Sequence, residues 1–436
     1  MIWAMEEKIE INEDFERALR LLEESDSNLF ITGKAGTGKS TLLKYFREKT
    51  AKNIVVLAPT GVAALNVNGQ TIHSFFLIPP GITPERVLEH KLSKKRQELI
   101  ANVDMIVVDE ASMLRADLLD CMDVSLRHHR GTQLPFGGVK MVFIGDLYQL
   151  PPVVSGDDER EYFRDYYSSP YFFSAKCLAG TQLAYVELEK IYRQKEMDFV
   201  ELLNKIRNNT AGLDDLDYLN RRYQARINSP EFVITLTTTN AAANKKNMEE
   251  LRRLNSECEV FHGEVEGEFQ KKSLPTDEEL ELKVGAQVMM LNNDQGGRWV
   301  NGSIGKIHGI EFDELEGDDV MKVKLEDGNV VRVAKHTWNI YKYFFNDELG
   351  RIDTEVAGSF RQFPIRLAWA ITIHKSQGKT FENAVIDIGR GTFAHGQLYV
   401  ALSRCRSYSG ISLMKRIERR HILVDRKVVA FGKLAK

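Results

Sequence analysis

Short apolar runs alternate along this chain with longer segments whose apolar residues recur every three to four positions. Ile11, Phe15, Ala18, Leu19 and Leu22 share one face at helical spacing and predict an amphipathic first helix. Asn28-Leu29-Phe30-Ile31-Thr32 then predicts a strand, and Thr41, Leu42, Leu43, Tyr45 and Phe46 begin a second helix beyond a glycine-rich turn. The runs at 54–58, 105–108 and 141–144 are short and rich in Val and Ile, as buried parallel strands are, so a three-layer α/β domain is predicted over about 1–180. Further runs at 232–237, 287–291 and 384–388 predict a second α/β domain assembled from 181–295 and 362–436. Between its two parts, 306–312, 320–325 and 330–334 alternate apolar with polar, and Glu326-Asp327-Gly328-Asn329 supplies an Asp-Gly hairpin turn. A small all-β insertion over 296–361 follows, with the acidic stretch 311–319 as a solvated loop.

A length of 436 residues suits two or three domains with proper cores. The net charge of −3 excludes a wholly basic binder but not a locally basic groove. Cys121, Cys177, Cys258 and Cys405 lie far apart with no Cys-x-x-Cys, which points to reduced thiols and not to a zinc site or a disulfide framework. Met1 to Glu10 lack a basic region followed by an apolar stretch, and no later run spans a bilayer, so the expectation is a soluble cytoplasmic protein of bacterial or phage type.

The chemistry begins at Gly33-Lys34-Ala35-Gly36-Thr37-Gly38-Lys39-Ser40, which satisfies G-x-x-x-x-G-K-[ST] between a strand and a helix. Backbone N–H groups of such a turn close on phosphate oxygens; Lys39 reaches the outer phosphates, and Ser40 holds Mg²⁺. Val107-Val108-Asp109-Glu110 ends the next strand in two acids, Asp109 for the metal and Glu110 to orient and deprotonate water. In Gly145-Asp146-Leu147-Tyr148-Gln149-Leu150-Pro151-Pro152, Gln149 is placed to sense a γ-phosphate, although the segment reads equally well as a stiffened strand exit.

Taken in order, GKAGTGKS, DEASM, GDLYQLPPV, EKIYRQ (189–194), WAITIHKSQGKT (369–380) and YVALSRC (399–405) resemble the motifs of superfamily one helicases in their 5′→3′ branch, and within it the Pif-one family of DNA helicases. Leu119-Asp120, Arg127, Arg130 and Pro135-Phe136-Gly137-Gly138 resemble that family's signature, and the likeness runs from about residue 11 to 430. It implies an α/β fold of two RecA-like parallel-sheet domains, with a small wedge insertion at about 62–82 that includes Pro79-Pro80-Gly81, and an SH3-like all-β insertion. It also implies ATP and Mg²⁺ as cofactors, and a nucleotide site of Gly33, Gly36, Thr37, Gly38, Lys39, Ser40, Thr41, Gln149 and Gly378. Arg193 and Arg404 resemble two arginine fingers from the second α/β domain, which neutralise charge on the transferred phosphoryl group.

For DNA, the resemblance implies contacts from Thr60, Gly61, His73, Ser74, Phe75, His374, Lys375 and Ser376, with hydroxyls and cations on phosphates and rings stacked on bases. Core packing competes for His73, Phe75 and Phe76, which have apolar neighbours on both sides. The basic run from Lys91 to Arg96 reads as a solvated helix face, and His128-His129 as a polar helix surface. One departure is the absence of any Gln before Gln70: Phe15 or a neighbour occupies the approximate place of the residue that recognises adenine in related helicases, and a ring there can stack on the base. The implied partner is single-stranded, forked or structured DNA, including G-quadruplex and RNA–DNA hybrid, gripped by a monomer without a membrane. An RNA helicase, or an ATP-gated single-strand binding module that does not unwind, remain the competing readings.

Overall fold

Strands buried on both faces pair side by side, and the apolar runs of the first half do so in parallel. In the computed structural model, which describes residues 11–434 apart from 80, 90, 91, 155, 195, 228, 229, 270, 315 and 316, they form a single sheet. Its strands are β1 (Asn28–Gly33), β2 (Ile54–Ala58), β3 (Gln70–Thr71), β4 (Met105–Val108), β5 (Lys140–Ile144) and β6 (Leu183–Leu188), in the order β3-β2-β4-β5-β1-β6. The helix Glu13–Glu24, capped by the Asn12 side chain, covers one face with Phe15, Ala18 and Leu22. Since β6 pairs in parallel with β1 along its whole length, the first sheet continues past the expected boundary at 180. Met1 to Glu10, Pro80 of the expected wedge and Lys91 of the basic run lie outside the described residues.

β7 (Ile234–Thr237) opens a second core, which the chain then leaves through the helix Asn240–Arg253. An all-β region follows: β8 (Glu259–His262), β9 (Glu264–Gly267), β10 (Glu279–Leu282), β11 (Gln287–Met290), β12 (Ile304–Asp313), β13 (Asp318–Leu325), β14 (Val330–Val333), β15 (His336–Asn346), β16 (Arg351–Gln362) and β17 (Ile365–Leu367). The chain returns through β18 (Ala370–Thr372), β19 (Ala384–Asp387) and β20 (Ile411–Leu413), giving a parallel sheet in the order β18-β7-β19-β20. Two expectations are corrected. β11 belongs not to this parallel sheet but to the antiparallel sheet β14-β13-β12-β11-β17, and the all-β region runs from β8 to β17 instead of over 296–361. The turn between β13 and β14 does form at Asp327-Gly328, with Gly328 at φ 88.

Two excursions tie the halves together. The hairpin of β15 and β16 pairs with β9 and reaches the first sheet, where the Tyr343 hydroxyl accepts a hydrogen bond from the Val56 N–H at 3.1 Å. After β20 the helix Arg426–Leu434 comes back to the first domain, stacking Phe431 on Phe173 at 4.4 Å between ring centroids. No helix among the described residues is long and apolar enough to cross a membrane.

Candidate active site

β1 is buried up to Gly33, and the chain turns at once into the helix Lys39–Lys49. Gly36 and Gly38 sit at φ 83 and 86, and a Cβ on Gly36 would fall 2.6 Å from that of Arg193. Glycine is therefore required by both backbone and space. No side chain caps this helix, so its first N–H groups are left for an anion. Thr37 is buried and donates its hydroxyl to the Lys34 carbonyl at 3.0 Å, while Ser40 and Thr41 are exposed in the first turn. Lys39 Nζ donates to the carbonyls of Gly33 and Lys34 at 2.7 and 3.0 Å, the place an outer phosphate would take over.

Asp109 is buried at the end of β4, and Glu110 follows in the left-handed region at φ 50 and ψ 43. A bulky residue held there carries strain of ~1–3 kcal/mol, which the surrounding fold imposes. Burial pushes the Asp109 carboxyl up. Burial, and then the neighbouring Asp109, push Glu110 up to about 7, with Lys39 and Arg404 pulling the other way. The Ser40 hydroxyl and the Asp109 carboxylate are hard oxygen donors of the kind that hold Mg²⁺ together with nucleotide phosphates, a task that needs no all-protein cluster. No group of three His, Cys, Asp or Glu side chains suited to a metal occurs among the described residues.

Residues from both sheets converge opposite the loop. Gln149 is buried, with its amide nitrogen 3.4 Å from Asp146 and its amide oxygen 3.4 Å from Gln377 Nε2 across the cleft. Arg193 donates to the carbonyls of Ser403 and Gly378 at 3.2 and 3.3 Å. It follows β6 in the segment joining the two sheets, so it is not supplied by the second domain as expected, and the Tyr192 N–H fastens that segment to the Gly36 carbonyl at 2.9 Å. Arg404 does come from the second domain; it is 1% exposed and donates to the Val400 carbonyl and the Ser403 hydroxyl at 2.9 and 2.8 Å. Burial, and then the nearby Arg193, bring its pKa down to about 9, so the guanidinium stays charged at neutral pH.

Two residues of the cleft were not singled out from the sequence. Asp146 is fully buried and pairs with Arg207 of the helix Met197–Arg207 at 2.9 Å. The Tyr399 hydroxyl accepts the N–H of Ala35, in the phosphate loop, at 3.2 Å. Both links run between sheets, and only folding brings their partners together. Phe15 is corrected: at 2% exposed it packs under Gly38 instead of facing a base. The exposed ring beside the loop is Tyr192, with Asn12 Nδ2 3.5 Å from its hydroxyl.

The DNA candidates divide. Thr60 caps the helix Gly61–Asn66, accepting from the Ala63 N–H at 3.3 Å, and a Cβ on Gly61 would fall 2.4 Å from the Ser273 hydroxyl. His73 and Ser74 are half-buried, and the Ser74 hydroxyl accepts from Gln70 Nε2 at 3.1 Å. Phe75 is corrected: it is 0% exposed, edge-on to Phe76 at 4.9 Å and to Tyr343 at 6.1 Å, so core packing takes the ring. Ser376 is corrected as well, because its buried hydroxyl donates to the Ile373 carbonyl at 2.7 Å within its own turn. Lys375 is exposed and, with Arg366, Asn240, Asn244 and Thr372, lines a polar cavity of about 260 Å³. His374 is half-buried, and burial keeps its pKa below the usual range.

A phosphate loop, an acid pair and two arginines facing one another across a cleft between two parallel sheets define a nucleotide-hydrolysing motor of the two-RecA-domain class. A family model described as PIF1-like helicase matches residues 10–215. The chain is 33% identical to the ATP-dependent DNA helicase Pif1 of Bdellovibrio bacteriovorus over 98% of its own length and 92% of that protein's. It is 32% identical to the ATP-dependent DNA helicase PIF1 of Homo sapiens, covering 93% of itself but 61% of the human protein. Among solved structures, Pif1 from Bacteroides sp in complex with ADP-AlF4 superposes with a TM-score of 0.90 at 39% identity, covering 98% of this chain and 97% of that one. Bacteroides Pif1 bound to ssDNA covers the same shares at 40% identity with a TM-score of 0.70. The chain belongs to the PIF1-like helicase family and is an ATP-using helicase.

Proposed function

We propose that this chain is an ATP-dependent DNA helicase that moves 5′→3′ on single-stranded DNA and opens duplex and forked substrates. The observation that carries this reading is the cross-cleft arrangement itself: Lys39, Asp109, Glu110 and Gln149 from the first domain face Arg404 from the second, with Arg193 on the connecting segment. Ser40 and Asp109 would hold Mg²⁺, which when bound screens phosphate charge. Lys39 exchanges its carbonyl partners for the outer phosphates, Gln149 hydrogen-bonds toward the γ-phosphate, and Glu110 accepts the proton of the attacking water. Arg404 leaves its helix carbonyl for the charge that develops on the phosphoryl group. Tyr192 offers the base a flat ring in place of the missing glutamine.

Closure of the cleft around nucleotide, and its release on hydrolysis, would convert into stepping if each domain grips the strand in turn. His374 and Lys375 serve the grip from the second domain, and Thr60, His73 and Ser74 from the first. The lower superposition on the ssDNA-bound Bacteroides structure, at equal coverage, supports a motor whose domains rearrange when DNA enters. Forked, G-quadruplex and hybrid substrates, the wedge at about 62–82 and a monomeric state belong to this same reading.

The test is steady-state ATP hydrolysis by the wild type and by Lys39→Ala, each alone, with single-stranded DNA and with matching RNA. Stimulation by DNA that vanishes in Lys39→Ala is expected; equal stimulation by RNA favours the RNA helicase, and none by either favours the non-motor module. Arg404→Ala is expected to lower kcat by ~10³–10⁵-fold, as loss of an arginine finger does, while fluorescent-nucleotide binding stays within a few-fold of wild type. Unchanged turnover in that variant would leave Arg193 as the finger. Unwinding of a duplex with a 5′ tail against one with a 3′ tail reads the polarity.

A further inference from the structure

A helix that ends inside a protein leaves its last carbonyls without partners in the helix, and other donors must take them up. The helix Gln397–Leu402 ends at Ser403, and Arg404 follows in the turn. The Ser403 carbonyl accepts a hydrogen bond from Gln194 Nε2 at 3.0 Å, and the Cys405 carbonyl accepts one from the same nitrogen at 3.1 Å. These two carbonyls flank Arg404, one on each side of it in the chain. Two acceptors facing one end of a glutamine can be met only by its NH₂ group, so both amide N–H groups are taken up by this turn.

Gln194 is 6% exposed and comes from the segment that joins the two sheets, not from the domain whose turn it holds. Two residues earlier, the Tyr192 N–H is bonded to the Gly36 carbonyl of the phosphate loop at 2.9 Å, and Arg193 between them also donates to the Ser403 carbonyl, at 3.2 Å. Three consecutive residues thus tie the phosphate loop to the turn that carries Arg404. A buried amide bonded to two carbonyls fixes a backbone more tightly than apolar packing does. The gap left among Gln194, Lys34, Ala35, Tyr399 and Ser403 is about 10 Å³, the lower limit for a single water, so solvent has little room to stand in for the amide.

We propose that Gln194 is a positioning residue for hydrolysis: it holds the backbone on both sides of Arg404 and so sets, from the connecting segment, where the guanidinium stands relative to the phosphate loop. Arg404 Nε donates back to the Val400 carbonyl, and to reach a phosphoryl group the side chain must swing while its backbone stays in place. Gln194 supplies the fixed end of that swing. Without its two hydrogen bonds the Ser403 and Cys405 carbonyls turn toward other donors, and the guanidinium starts from the wrong place. The role is exercised through Arg404 alone. This inference rests on the reading of Arg404 as the arginine finger given above and adds a residue to that site.

The experiment compares wild type, Gln194→Met, Arg404→Ala and the double variant in kcat, in affinity for a fluorescent nucleotide and in melting temperature. Methionine matches glutamine in length and has no donor to offer the two carbonyls. A displacement of about 1 Å in a reacting geometry costs ~10²-fold in rate, so Gln194→Met should lower kcat by that factor while nucleotide affinity stays within a few-fold of wild type. In the double variant turnover should equal that of Arg404→Ala, because a residue acting only through Arg404 then has nothing left to position. Gln194→Asn, which keeps the amide on a stem one methylene shorter, should fall between wild type and Gln194→Met, and it decides the same question if the methionine variant melts too low to assay. Losses that multiply in the double variant, nucleotide affinity that falls as far as kcat, or wild-type turnover in Gln194→Met would each overturn the proposal. Wild-type turnover in Arg404→Ala would remove the finger itself, whereas a crippled Arg404→Ala beside an unaffected Gln194→Met removes only the positioning role.

Discussion

Glu110→Gln will bind ATP and single-stranded DNA much as the wild type does, and will hydrolyse ATP ~10²–10⁴-fold more slowly, the contribution expected of a positioned general base. The substitution keeps shape and hydrogen-bonding reach but removes the proton acceptor. It also removes a charge that the fold resists: burial and the adjacent Asp109 hold Glu110 up to about 7, far above an ordinary glutamate. A carboxylate raised into that range is a stronger base than one in water, which suits it to a water proton. The left-handed backbone at φ 50 shows that its placement is imposed by the surroundings, and glutamine inherits the same constraint. The affinity readout is therefore expected to hold while turnover collapses. Single-turnover hydrolysis and nucleotide-binding titrations separate the two, and wild-type turnover in the variant would remove Glu110 from the role of base.

How much of this was legible in the sequence follows from what each segment buries. β1, β2, β4 and β5 are buried on both faces, which writes a continuous apolar run, and all were placed. The same signature misplaced β11, because an inner strand of an antiparallel sheet, buried at every position, is equally apolar. β6 went unread for the opposite reason: only Val186 and Leu188 are buried in it, and its mixed composition resembles a loop. The long hairpin of β15 and β16 is mostly half-buried, so its pattern carried no clear period.

The site divides along similar lines. Phosphate loop and acid pair are contiguous in sequence, so spacing alone reveals them. Arg404 and Arg193 required a family likeness, since a single arginine has no local pattern. The aromatics separate by context: Phe75 lies on a short helix and is buried, whereas Phe393, in a loop with Gly389, Gly391 and Gly396, is exposed.

Asp146 and Arg207 lie 61 residues apart and give no sequence sign of each other, yet their separation should be among the most damaging changes in the molecule. Their ion pair spans 2.9 Å with side chains 0% and 6% exposed, and the guanidinium lies over the Tyr148 ring at 4.0 Å. Burial alone would push the Asp146 carboxyl up, but Arg207 and then Lys39 outweigh it and hold the group below the ordinary range. Arg207→Gln leaves that carboxylate buried, with Lys39 as the remaining cation that favours its charge. Breaking one side of a buried pair costs ~3–5 kcal/mol, so the melting temperature should fall well below that of wild type. ATP binding should weaken too, because an Asp146 without Arg207 competes with phosphate for the Lys39 ammonium. Asp146→Asn in the same chain removes the competitor, so the double variant should bind ATP more tightly than Arg207→Gln alone and melt at a higher temperature. A link that only fastened the domains together would lower the melting temperature and leave nucleotide affinity where it was. Recovery of affinity in the double variant is thus the measurement that ties Arg207, through Asp146, to the phosphate-binding lysine.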